Sequence, residues 1–119
     1  VFASLGQLRY LSCMAHVDGV VGNSSSGLLE APSFGIGTIN IGDRQRGRLQ
    51  AGSVINCLPN GQGIATALRR MYSEEFRAGL GSVRNPYGDG GASARIVATL
   101  RHVELDGLLK KRFHSIPGV

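Results

Sequence analysis

Apolar positions along this chain follow two spacings. Leu5, Leu8, Leu11 and Ala15 recur at helical intervals, with Arg9 and Ser12 off that face, which predicts a first helix from about Leu5 to Ala15. Ser4 followed by Gln7 fits a capping box at its start. Short runs rich in β-branched residues come next: Val20 and Val21, then Thr38 to Ile41, then Ser53 to Cys57. Between the first two, a helix from about Ser26 is stopped by Pro32, which lacks a donor, and by Gly35, which suits a C-terminal cap. After the turn Pro59-Asn60-Gly61, the residues Ile64, Leu68 and Met71 mark another helical face, and a shorter helical segment from Ser73 carries Phe76 and Leu80. The turn-rich stretch Asn85-Pro86-Tyr87-Gly88-Asp89-Gly90-Gly91 leads into a last helix from about Ala92, with Ile96, Val97, Leu100 and Val103 on one face. Strands alternating with helices predict an α/β fold: a Rossmann-like parallel sheet with flanking helices and right-handed crossovers. The near-continuously apolar strands fit burial on both faces.

Composition narrows the functional classes. At 119 residues, with 42% hydrophobic and 18% charged positions, the chain is one globular domain at most. It has no apolar run of membrane-spanning length and no signal-peptide layout, so the expectation is a cytoplasmic protein that does not act at a membrane. A formal charge of +5 permits nucleic-acid binding, yet the basic residues fall in separate groups: Arg44 to Arg48, Arg69-Arg70, and Lys110-Lys111-Arg112. With 6% aromatic residues and no tryptophan, a base-stacking platform lacks material, and nucleic acid is not an expected partner. Cys13 and Cys57 show neither CxxC nor Cys/His spacing, which predicts reduced, buried thiols and no metal site. The opening Val1-Phe2-Ala3, without an initiating methionine, reads as the tail of a strand in a piece of a longer protein.

The candidate chemistry lies at the strand ends. Gly22-Asn23-Ser24-Ser25-Ser26-Gly27 follows a short apolar strand and feeds a helix, an arrangement in which small residues let the backbone approach an anion and the new helix turns its N–H groups toward it. The hydroxyls of Ser24, Ser25 and Ser26 can donate to phosphate oxygens, and Glu30, about a turn on, can accept from a sugar hydroxyl. Ser, Asn and Gly also favour ordinary helix starts, so this run alone does not separate the two. Gly42-Asp43-Arg44-Gln45-Arg46-Gly47-Arg48 follows the next strand, and its guanidinium forks suit phosphate or carboxylate. In open α/β sheets, ligands sit beyond the carboxyl ends of the strands, where both segments belong. His16, His102 and His114 have no acid or serine partner at a recognisable spacing and read as helix-end residues. Tyr87 and Asp89 either line a cleft or turn the chain into its last helix.

Four segments in this order and spacing, Gly22 to Gly27, Glu30-Ala31-Pro32, Asn40 to Arg48 and Asn85 to Gly90, with Leu5-Gly6 at the first helix, resemble the hydrolysing UDP-N-acetylglucosamine 2-epimerases of sialic acid biosynthesis. The likeness runs from about Ser4 to Leu100. It implies a two-domain fold of the GT-B type, of which residues 1–119 are most of the C-terminal, UDP-binding domain, with the N-terminal domain outside this chain. It implies that Leu5 meets the uracil through its backbone, Ser24 and Ser25 the diphosphate, Glu30 the ribose and Arg44 the nucleotide side of the cleft, with Ser26, Gly27, Tyr87 and Asp89 as further candidates. The implied reaction eliminates UDP across C1–C2 of the sugar and hydrates the glycal, giving N-acetylmannosamine and UDP without metal or cofactor. The implied acid/base carboxylates and a histidine fall outside this chain, so the fragment alone is expected to be inactive, and the full-length protein to be a homo-oligomer. A relative acting on a UDP-diacetamido-trideoxy sugar, a UDP-sugar glycosyltransferase and an inactive nucleotide-binding fragment are the alternatives.

Overall fold

The computed structural model describes residues 1–107 and 110. Lys111, Arg112, His114 and the tail with Pro117 and Gly118 lie outside the described residues. The chain forms two compact units, Val1–Asp89 and a second from Gly90 onward.

The first unit is built on a parallel sheet of three strands in the order β1-β2-β3: β1 (Gly19–Gly22), β2 (Gly37–Ile41) and β3 (Val54–Cys57). Val20 pairs with Thr38 and Val21 with Ile39, while Ile39 pairs with Ile55 and Asn40 with Asn56. Central β2 is buried from Gly37 to Asn40, as a strand covered on both faces must be. The Rossmann-like α/β architecture is thus present, and helices flank the sheet as its apolar pattern requires.

The two faces carry different chemistry because side chains alternate along a strand. Ile39 and Ile55 pack with Ala67 and Met71 of α3 (Gly61–Met71), joined by Leu68 and by Phe76 of α4 (Glu74–Leu80). The opposite face carries Thr38 and Asn40, and there α2 (Ser26–Leu29) comes close: Thr38 Oγ1 donates to the Gly27 carbonyl at 2.8 Å. A Cβ on Gly27 would lie 2.5 Å from Thr38 Cγ2, so only glycine permits this approach of helix to strand.

Two local expectations change, both in the first helix. α1 (Gly6–Met14) starts at the expected place, but the capping box does not form. Leu5 takes the N-cap position and Gly6 enters the helix at φ 66°, which sets Ser4 one residue too early; its Oγ accepts from Gly6 N at 3.2 Å instead. The inward face of α1 is also rotated: Met14 is buried and Tyr10 and Leu11 are half-buried, whereas Leu8 is 81% exposed. After Leu29 the α-helix gives way to a 3₁₀ turn, Ala31–Phe34, because Pro32 cannot donate, and Gly35 closes it in the left-handed region at φ 65°. As the sequence places only the arginine loop there, the connection from β2 to β3 holds no helix among the described residues: residues 42–53 form the crossover themselves. The helices after the turns have caps that the sequence reading did not single out, with Asn60 Oδ1 accepting from Gly63 N at 2.7 Å and Ser73 Oγ from Phe76 N at 3.3 Å.

In the second unit, α5 (Ala92–His102) forms where the sequence places it. No residue of it is buried, Ile96 and Leu100 of its apolar face being among the exposed large hydrophobic residues.

Candidate functional site

Parallel pairing of β1 with β2 brings the ends of the two strands side by side, so the serine turn after Gly22 and the arginine loop after Ile41 become neighbours. Two hydrogen bonds fix the contact. Gln45 Nε2 donates to the Asn23 carbonyl oxygen at 2.7 Å, and Arg44 Nη1 reaches Asn23 Oδ1 at 3.4 Å. Gln45 is 3% exposed, so the loop inserts this side chain beneath the turn while the Arg44 side chain stays in solvent above it. A guanidinium held beside the turn, next to the exposed Ser24 and the half-buried Ser25, gives positive charge where the side chains are small.

Within the turn, Ser24 is exposed and its Oγ accepts from Ser26 N at 3.4 Å. Ser25 is the N-cap of α2 without a side-chain capping bond, which leaves its hydroxyl free for another acceptor. The Ser26 hydroxyl is hydrogen-bonded to the Tyr10 hydroxyl, tying α1 to the turn. Gly27 is buried and serves the helix-to-strand approach. Glu30, half-buried, stands where α2 passes into the 3₁₀ turn, and Leu5 is half-buried at the start of α1. Tyr10 was missed by sequence reasoning, because nothing in its spacing separates it from an ordinary helical residue.

A third segment closes on this site. Asn85 Nδ2 donates to the Leu29 carbonyl at 2.8 Å and to Ser33 Oγ at 2.7 Å, and Asn85 Oδ1 accepts from Tyr87 N at 3.0 Å. Tyr87 Oη donates to the Leu49 carbonyl at 3.1 Å, so this loop joins the end of α2 to the arginine loop. Among the described residues no hydrogen bond draws Asp89 into the cluster, and it is exposed. The turn-rich segment is therefore a clasp on the site, and Asn85 is its principal anchor. A profile of the family described as UDP-N-acetylglucosamine 2-epimerase matches residues 1–101. The chain belongs to that family.

Individual members resemble it at moderate identity. A GDP/UDP-N,N'-diacetylbacillosamine 2-epimerase (hydrolyzing) of Campylobacter jejuni is 40% identical over 95% of this chain and 29% of its own length. A UDP-N,N'-diacetylbacillosamine 2-epimerase (hydrolyzing) of Legionella pneumophila is 33% identical over 88% of the chain and 27% of its own length. The polysialic acid biosynthesis protein P7 of Escherichia coli is 42% identical over 66% of the chain and 20% of its own length. The chain thus spans less than a third of these relatives. The epimerase family is GT-B-like, and the parallel sheet found in this family member accords with that architecture.

The remaining residues considered as candidates take plainer positions. His16 follows the end of α1 and His102 ends α5, both exposed. Cys13 is exposed rather than buried, because rotation of α1 turns inward Met14 and not its neighbour; Cys57 is half-buried and likewise free. Among the described residues no group of three or more His, Cys, Asp or Glu side chains could hold a metal ion, and no helix is long and apolar enough to cross a membrane.

Proposed function

We propose that this chain is the UDP-binding part of a hydrolysing UDP-sugar 2-epimerase. The single observation that carries the proposal is the Asn23 junction, where Gln45 and Arg44 of one strand-end loop hold the serine turn of the next. It creates a cationic, hydroxyl-lined ledge of the kind that accepts a diphosphate. Ser24 and Ser25 donate to phosphate oxygens, Arg44 offsets their charge, Glu30 accepts from the ribose hydroxyls and the Leu5 backbone meets the base.

In the reaction, a base removes the proton from C2 of the sugar, the C1–O bond breaks, and the electron pair leaves with UDP. Water then adds to C1 of the glycal as C2 takes a proton from the opposite side. The part assigned to this chain is stabilisation of the departing diphosphate, whose charge grows as the bond breaks. The proton-transferring groups belong to the remainder of the protein, and isolated residues 1–119 are expected to bind without turnover. Work without a metal or cofactor, and homo-oligomeric assembly of the whole protein, form part of the same proposal.

The names of the relatives favour a UDP-linked diacetamido sugar, since two of those that align with most of this chain, over 95% and 88% of it, are bacillosamine-type enzymes. UDP-N-acetylglucosamine is the second reading, supported by the likeness to the polysialic acid protein. The test is calorimetric titration of the chain with UDP and UMP, followed by product analysis of the whole protein with both UDP-sugars. Saturable UDP binding, tighter than UMP, is expected; a folded chain that binds neither contradicts the proposal. Free UDP and a 2-epimerised sugar without an acceptor separate the epimerase from a glycosyltransferase.

A further inference from the structure

A serine or threonine hydroxyl in a helix can bond to its own helix or to a partner elsewhere. Ser12 of α1 donates to the Leu8 carbonyl at 2.8 Å and Thr99 of α5 to the Arg95 carbonyl at 3.0 Å, in both cases four residues back. Ser26, the first residue of α2, makes no such bond among the described residues. Its Oγ meets the Tyr10 hydroxyl instead, across sixteen positions of the chain. Tyr10 stands four residues before buried Met14, on the inward face of α1, and is itself half-buried. The ring is thus part of that face, and its tip reaches the serine turn.

Each hydroxyl carries one proton and two lone pairs, so the bond between the two can run in either direction. If Tyr10 donates, Ser26 accepts through a lone pair and keeps its own proton for a ligand. If Ser26 donates, only its lone pairs remain to face one. A phenol is a better donor than an alkyl alcohol, and a phosphate accepts hydrogen bonds without returning any, so a bound anion selects the first direction. The Ser26 proton, polarised by the bond its oxygen accepts, then becomes a stronger donor. The surroundings suit the same ligand: the Ser25 hydroxyl makes no capping bond, and the Arg44 guanidinium reaches Asn23 at the head of the turn.

We infer that Tyr10 is a positioning residue for the diphosphate. It fixes Ser26 as a donor, in a chain that runs from the phenol to the serine hydroxyl and on to a phosphate oxygen. The inference deepens the nucleotide reading and rests on it. Ser26 thereby joins Ser24 and Ser25 as a ligand-facing hydroxyl, and α1, whose N-cap Leu5 is assigned to the base, is tied to the phosphate end of the site as well.

The test is titration of the chain with UDP and with uridine, followed by ¹⁵N–¹H correlation spectra, for the parent, Tyr10→Phe, Ser26→Ala and the double variant. Tyr10→Phe keeps the ring and removes only the oxygen. Each single variant is expected to weaken UDP binding by about three- to tenfold and to leave uridine affinity unchanged. The double variant is expected to bind UDP no more weakly than Ser26→Ala. A tyrosine that merely holds α1 in place would act differently: uridine would be lost along with UDP, because Leu5 heads the same helix. Equal losses for the two ligands, unchanged UDP affinity in Tyr10→Phe, or strictly additive losses in the double variant overturn the inference. Should Tyr10→Phe fail to fold, Ser26→Ala decides alone, with a loss for UDP only in support and unchanged UDP affinity or a matching uridine loss against. A parent chain that does not bind UDP removes the nucleotide reading and this inference with it, whereas a parent that binds UDP with unaltered variants removes the inference alone.

Discussion

Replacing Gly27 by alanine tests the contact that sets the position of the serine turn over the sheet. The new Cβ would lie 2.5 Å from Thr38 Cγ2 and 3.4 Å from Thr38 Oγ1. Thr38 is 2% exposed and held by its bond to the Gly27 carbonyl, so it has little room to turn away. Overpacking of this kind costs about 1–3 kcal/mol, and loss of the threonine hydrogen bond about 0.5–1.5 kcal/mol more. Alanine's better fit to a helical backbone returns about 0.5–1 kcal/mol. The expected net destabilisation is about 1–3 kcal/mol, measured by urea unfolding of the chain followed by circular dichroism. Thr38→Ser removes the clashing methyl while keeping the hydroxyl, and alone should cost about 1 kcal/mol for the lost buried carbon. The double variant should then be more stable than the sum of the singles by about 1–2 kcal/mol. Strict additivity, or a Gly27→Ala variant as stable as the parent, would refute the packing role assigned to Gly27.

Gln45→Leu keeps the buried volume but removes the donor to the Asn23 carbonyl; UDP affinity is expected to fall about five- to tenfold, in line with a stranded polar partner. Titration of a folded variant that binds UDP as tightly as the parent would remove Gln45 from the site. Glu30→Ala and Ser24→Ala should each weaken nucleotide binding by on the order of 1–3 kcal/mol in calorimetry of the complete enzyme, and unchanged UDP affinity in both would sink the ribose and phosphate assignments. Asn60→Ala removes the cap of α3 and should lower the unfolding free energy by about 1 kcal/mol without altering UDP binding; a change in UDP affinity there would show that α3 communicates with the site.

The strands were legible in the sequence because parallel pairing demands short, nearly continuous apolar runs, and Val20-Val21, Thr38–Ile41 and Val54–Cys57 have no other use. Gly35 was legible for a similar reason, since its backbone conformation favours glycine. The capping box at Ser4 failed because a capping motif fixes spacing but not entry, and Gly6 offered the chain a left-handed entry one residue later. The same local shift hid which residues of α1 face inward, and with it the exposure of Cys13. The sequence placed the serine turn and the arginine loop at strand ends, which the parallel pairing makes neighbours, but it did not give the partners within them. The bonds from Gln45 to Asn23, from Asn85 to Leu29 and from Tyr87 to Leu49 all span distant positions, and no local pattern encodes which side chain crosses.

The Asn23 junction also bears on how the chain responds to its ligand. Asn23 follows Gly22, the register partner of Asn40, and the side chains that hold it come from the loop just after β2. Slippage of β1 against β2 by one residue would turn side chains to the wrong faces and draw the serine turn off Gln45. Binding competence is therefore a property of correctly registered chains, and partly folded forms with slipped strands should have no affinity. A ligand that recognises the junction then stabilises the native register against every alternative, by about 2.7 kcal/mol at a concentration one hundred times its dissociation constant. Nucleotide present during refolding would thus act as a template that sorts registered sheets from misregistered ones.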